Sequence, residues 1–193
     1  IQVAFLILGG LVTTYLALDT VAGGQGMWAG LQTIYEVAPD KFAMILDKSH
    51  PEYNNLPGIG VLIGGMWVAN VYYWGFNQYI IQRTLAAKSL NEAQNGILFA
   101  AGLKLILPLI VVIPGIAAYV MIEDPAIMAS LGEAGQLNMP STAQADKAYP
   151  WLLQFLPTGL KGLAFAALAA AIVSSLASML NSTATIFTMD IYK

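Results

Sequence analysis

The sequence predicts an all-α transmembrane chain with four membrane spans, and three observations carry that prediction. Hydrophobic residues make up 58% of the 193 residues and charged residues only 10%, against about 25% charged in a soluble domain. Four apolar runs, 1–21, 58–81, 96–122 and 160–188, each reach the roughly 20 residues that a helix needs to cross a bilayer core of about 30 Å. Alternating segments of about 10 residues, the mark of a membrane barrel, are absent. An open sheet edge cannot face lipid, which offers its N–H and C=O groups no partner.

The first run begins at Ile1 without an initiator methionine or a charged leader. That is the pattern of an internal piece of a longer membrane domain. Asp19 with Gly23 and Gly24 marks the exit of this span. In the connection 22–57, apolar Met27, Leu31, Ile34 and Tyr35 fall at helical spacing and predict a short helix over Met27–Val37, lying across the outer mouth. The second span opens with Pro57 and Gly58 and carries Gly60, Gly64 and Gly65. A small residue every fourth position allows either close helix packing or a locally unwound helix. Ser89, Leu90, Asn91 and Glu92 fit a capping box that starts the third helix within the short connection 82–95. Pro108 and Pro114 interrupt that helix and predict a bend.

Orientation follows from basic residues in short loops. The connection 82–95 holds Arg83 and Lys88, while 123–157 holds Glu123, Asp124, Glu133 and Asp146 against Lys147. The short loop is placed in the cytoplasm, the two long connections outside, and both chain ends, including 190–193, inside.

Several function classes are disfavoured. The net charge is −3 with no basic block, so nucleic acid is not an expected partner. With no cysteine there is no disulfide and no thiolate site. The single histidine, His50, sits beside Lys48 and Glu52, as a solvated loop residue does, with no second ligand nearby for a metal. No nucleophile–base pair, phosphate loop or paired catalytic carboxylates occur in the spans, so no enzyme is expected. The Asn181, Ser182, Thr183 triplet matches a glycosylation sequon but falls within a span.

Three constellations point to a solute and an ion. Asn70, Tyr73, Trp74 and Asn77, followed by Gln78, fall at i, i+3, i+4 and i+7 and predict one polar, aromatic face. Carboxamides in mid-span must meet other helices or a wet cavity. Amides bind hydroxyls and a ring packs on the apolar face of a sugar. Lys104 lies about 12 Å into the third span at about 1.5 Å per residue; it either snorkels to the cytoplasmic face or donates hydrogen bonds in a cavity. Ala171, Ser174, Ser175 and Ser178 give one helix a cluster of hydroxyls at one-turn spacing. Such serines bond back to their own helix and permit close packing, or they supply the neutral oxygens that sodium takes.

Trp74-Gly75-Phe76-Asn77-Gln78, then Gln82-Arg83 and Leu85-Ala86-Ala87-Lys88, together with Ser174-Ser175, resemble the sodium:solute symporter family, and within it the bacterial sugar carriers. The resemblance covers the whole chain. It implies a core of two inverted five-helix repeats, of which this chain would hold the last helix of the first and three helices of the second. It further implies that Asn70 and Lys104 hydrogen-bond the sugar, and that Tyr73 stacks on it as an inner gate with Trp74 beside it. Ala171 would offer a carbonyl to sodium, and Ser174 and Ser175 their hydroxyls. The implied activity is sodium-driven uptake of a sugar, galactose or glucose, by alternating access. The implied setting is a bacterial inner membrane, with the lipid bilayer and the remaining helices of its own chain as partners. Symport of an amino acid, vitamin or organic anion is the nearest alternative, and a channel or membrane sensor a more distant one.

Overall fold

The computed structural model describes residues 2–51, 53–56 and 58–192; the readings that rest on Ile1, Glu52, Pro57 and Lys193 lie outside them. The described residues form helices and turns without a strand. Three helical runs among them are long and apolar enough to cross a membrane: Val3–Val21, Leu90–Glu123 and Thr158–Tyr192. The chain divides into two compact units, residues 2–42 with 104–171 and residues 43–103 with 172–192.

The first unit is built on α1 (Gln2–Val21) and α2 (Met27–Val37), the latter with the bounds that its apolar spacing predicts. Between them Gly23, Gly24 and Gly26 take φ of 61°, 85° and 92°, which a side chain would strain. The Asp19 carboxylate accepts the Gly26 N–H at 2.9 Å and closes the turn. Where α2 crosses α1, a Cβ on Gly30 would stand 2.1 Å from the Leu18 carbonyl oxygen, so only glycine allows this approach. Leu18 and Ile34 are fully buried there, with Val120 and Met121 of α6 (Ile113–Glu123).

The two prolines interrupt the helix, and they do so by changing its type. Pro108 has no N–H for the Lys104 carbonyl, and α5 (Leu90–Lys104) ends at that residue. A π-helical turn, Pro108–Val112, follows before α6. Ile113 N–H returns to the Pro108 carbonyl, and Pro114 has none to give. The Thr14 hydroxyl of α1 lies 2.8 Å from both the Gly10 and the Leu109 carbonyl oxygens, so a side chain serves the carbonyl that the proline leaves.

The connection 123–157 is more structured than its polarity suggests. Asp124 caps α7 (Pro125–Ser130), accepting the Ala126 and Ile127 N–H groups at 2.8 and 3.3 Å. Then come α8 (Gly132–Gln136), a 3₁₀ segment Thr142–Lys147 and α9 (Ala148–Leu152). Trp151 and Leu152 are buried against α1 and α6 residues. The Trp151 indole and the Gln154 amide both donate to the Gly135 carbonyl, at 3.1 and 3.0 Å. Burial of a large indole with its N–H satisfied orders the segment.

The second unit holds a run that does not stay α-helical. A π turn Val61–Gly65 leads into α3 (Met66–Val71), a second π turn Tyr72–Phe76, and α4 (Gln78–Leu85). The glycine stretch is helical, and the interruption comes at Asn77, whose φ of −76° and ψ of 112° are extended. Cβ atoms on Gly60 and Gly64 would meet nothing within 4 Å, so within this chain neither glycine marks a close contact. The short connection 82–95 shrinks to residues 86–89, since α4 runs to Leu85 and α5 starts at Leu90. Ser89 Oγ accepts the Glu92 N–H at 3.3 Å, as the capping pattern predicts. The last helix, α10 (Thr158–Ile186), runs unbroken from the first unit into the second.

Candidate functional site

The aromatic turn owes its form to Asn77. Its side-chain oxygen accepts the Tyr79 N–H at 3.1 Å and starts α4, the usual job of an N-cap asparagine. The π turn ahead of it holds one residue more than an α turn, and Asn77 is not helical. It therefore does not continue the face predicted from i+7 spacing.

Tyr73 and Trp74 remain together. Their rings stand edge to face, with centroids 5.3 Å apart and planes at 85°. They are 39% and 38% exposed, so each keeps ring surface open to a flat solute. Asn70 lies one turn before them on α3 and donates from its amide to the Met66 carbonyl of its own helix at 2.8 Å. That bond uses one of two amide N–H groups. Beside Trp74, a groove of about 380 Å³ runs between α4 and α5, edged by Tyr79, Arg83, Thr84 and Glu92.

Lys104 belongs to the other unit. It is the last residue of α5, where Pro108 ends the α-helix. Ala171, Ser174 and Ser175 follow within about one turn of α10, and an i, i+3, i+4 set shares a face. All three oxygens there, two hydroxyls and a carbonyl, are neutral hard donors, which is the chemistry that a monovalent hard cation accepts.

One group was not singled out by sequence reasoning. The Arg83 guanidinium donates to the Ser178 hydroxyl. The Gln82 amide donates to the Ser178 carbonyl at 3.3 Å, and its oxygen accepts the Asn181 amide at 2.9 Å. Ser178 in turn donates from Oγ to the Ser174 carbonyl at 3.1 Å. The signal available was the spacing of Ser174, Ser178 and Asn181 at i, i+4 and i+7 on α10.

Comparison with known proteins places the chain. The profile of the Sodium:solute symporter family matches residues 1–193. A sodium/glucose cotransporter of Vibrio parahaemolyticus is 70% identical over 193 residues, all of this chain and 36% of the relative. A human sodium/myo-inositol cotransporter 2 is 43% identical over 143 residues, 74% of this chain and 21% of the relative. The uncharacterized symporter YidK of Escherichia coli (strain K12) is 36% identical over 189 residues, 97% of this chain and 29% of the relative. The chain thus spans about a third or less of the length of these relatives. Since the profile covers every residue, the chain belongs to the sodium:solute symporter family.

Proposed function

We propose that the protein to which this chain belongs is a sodium-coupled sugar symporter, with galactose or glucose as solute. The observation that carries this reading is the 70% identity, along the whole chain, to a relative named as a sodium/glucose cotransporter. The paired rings of Tyr73 and Trp74 support it, since an open aromatic face suits the apolar side of a pyranose. Asn70 and Lys104 hydrogen-bond sugar hydroxyls, Tyr73 stacks and closes the inward path, and Trp74 holds the Tyr73 ring edge-on. Ser174 and Ser175 offer hydroxyls to sodium, and Ala171 its carbonyl. Transport proceeds by alternating access in a bacterial inner membrane. The helices outside this chain supply the rest of both sites, and neither reaction chemistry nor nucleic acid enters the cycle.

Coupling has an energetic basis. One charge moving across 100 mV provides about 2.3 kcal/mol, before the sodium concentration difference is added. Binding of the ion favours the outward-open state and orders the sugar site, so the ion's gradient becomes the sugar's.

A second reading rests on the 43% identity to the sodium/myo-inositol cotransporter 2. Amides and a ring also suit a cyclic polyol. Uptake of labelled galactose into proteoliposomes holding the full-length protein, with and without an inward sodium gradient, tests the main reading. Accumulation above equilibrium only with sodium supports it. Folded protein that accumulates myo-inositol and not galactose moves the assignment to the polyol, and folded protein that accumulates neither removes both. Replacing Ser174 and Ser175 together by alanine is expected to abolish the sodium dependence; if it is unchanged, the ion site lies elsewhere.

A further inference from the structure

Both halves of the proposed mechanism have a physical connection within the second unit. The hydroxyl pair stands on α10 and the ring pair stands just ahead of α4. The segment that joins them is α4 itself. Gln82 and Arg83 grip one turn of α10, Ser178 to Asn181, through three hydrogen bonds. That turn begins four residues beyond Ser174, about 6 Å along the axis, and Ser178 bonds back to the Ser174 carbonyl. At its other end α4 starts at Asn77, an extended residue between two helical segments. Such element-terminal residues absorb the backbone rotation of a hinge.

We infer that Gln82 and Asn181 are positioning residues that make α4 travel with α10, with Asn77 as the hinge between α4 and the Tyr73–Trp74 turn. The inference rests on the proposed sodium and sugar sites. A shift of α10 as sodium binds or leaves is carried by the amide pair to α4, and is taken up at Asn77 next to the rings. Neither amide touches solute or ion; each acts through the helix that it holds. The Gln82–Asn181 bond is well suited to this role because it is a neutral side chain–side chain bond with one donor and one acceptor. It fixes the distance between the two helices without adding a charge near the ion. Arg83 alone leaves α4 held at a single hydroxyl and free to pivot.

The test uses the full-length protein in proteoliposomes, with galactose uptake measured as a function of sodium. Half-saturation constants do not depend on how much protein is folded, so they separate coupling from simple loss of protein. Gln82→Leu and Asn181→Leu are each expected to raise the sodium concentration for half-maximal uptake by at least about threefold. The galactose constant at saturating sodium should move less. The double variant should be no worse than Gln82→Leu, because that change already removes the Asn181 bond together with the one to the Ser178 carbonyl. The exchanged pair, Gln82→Asn with Asn181→Gln, keeps the combined reach of the two amides and should return the sodium constant to within about twofold of the unaltered protein. Where leucine prevents membrane insertion, alanine variants serve with the same thresholds. Single variants with unchanged sodium constants, effects that multiply in the double variant, or an exchanged pair that stays impaired would each overturn the inference. If the unaltered protein shows no sodium response, the transport reading itself fails and the coupling fails with it. A response that the variants keep removes the coupling alone.

Discussion

The two units of this chain solve different problems. Every buried apolar side chain among the described residues belongs to the first unit, from Ala17 and Leu18 to Ala164 and Ala167. The second unit leaves Trp67, Val68, Ile63 and Phe76 69–74% exposed, and its one buried residue given a value below a tenth is Ser182 at 7%. Yet the second unit carries Asn70, Tyr73, Trp74, Ser174 and Ser175. Two further residues of the proposed sites, Lys104 and Ala171, belong to the first unit, so only part of the proposed machinery lies apart from the buried core. The first unit satisfies itself, through a glycine crossing, a proline-freed carbonyl met by Thr14, and an indole-sealed cap. The second holds its helices with side-chain amides and capping groups, and leaves its apolar faces exposed. In lipid, apolar contact gives helices little drive to associate, so close packing and interhelical hydrogen bonds have to do so. The first unit uses mainly packing and the second mainly hydrogen bonds. A hydrogen-bonded junction with an extended residue at one end can rearrange, which a close-packed crossing resists.

The contrast can be broken most directly at Trp151. Trp151→Ala empties a core position and takes the indole donor from the Gly135 carbonyl, which keeps the Gln154 amide, so a loss of about 3–5 kcal/mol is expected, read from thermal unfolding of the purified protein. Trp67→Ala should change stability by less than about 0.5 kcal/mol. An equal loss at both would show that the exposed face of the second unit is covered in the full protein. A Cβ at Gly30 comes next. Gly30→Ala forces a methyl against the Leu18 carbonyl and should cost about 1–3 kcal/mol. Gly60→Ala, facing open space, should instead gain up to about 1 kcal/mol from helix propensity. The same sign at both positions would erase the distinction.

Smaller effects sharpen it. Asn77→Ala removes the α4 cap and should cost about 1 kcal/mol, seen as faster amide hydrogen exchange confined to α4, whereas Asn77→Asp should retain protection. The smallest expected effect is at Tyr149, a half-buried residue of the first unit whose phenol burial holds above its ordinary pKa. Below about pH 10 the phenol is protonated in both folded and unfolded chains, and contributes no pH dependence. Above that pH the unfolded chain loses the proton first, so stability falls as pH rises toward the folded-state value. Melting temperatures between about pH 9 and 11 should show this slope, and Tyr149→Phe should flatten it.

Much of this was legible in order along the chain. The spacing of Met27, Leu31 and Ile34 specified α2 to its ends, Ser89 and Glu92 located the start of α5, and the prolines located the change of helix type. Asn77 departs from the expected face although it is polar at a helical interval from Asn70. Its cap bond depends on backbone angles that periodicity does not report. In the segment 123–157 charges outnumber the visible apolar pattern, while its order draws on the Asp124 cap and on an indole reaching a carbonyl 16 residues away.

The sequence by itself determined that the chain is helical and membrane-spanning, where α2 and α5 start, and which oxygens and rings are available. Those are local matters of composition, spacing and capping. Only the tertiary structure decided that Gly30 meets Leu18, that Thr14 serves a carbonyl 95 residues away, and that Gln82 finds Asn181 across 99 residues. Each of these contacts depends on the path of the chain in space, and hydrogen-bonding capacity written in a sequence does not say which of many equivalent partners the fold will bring within 3 Å.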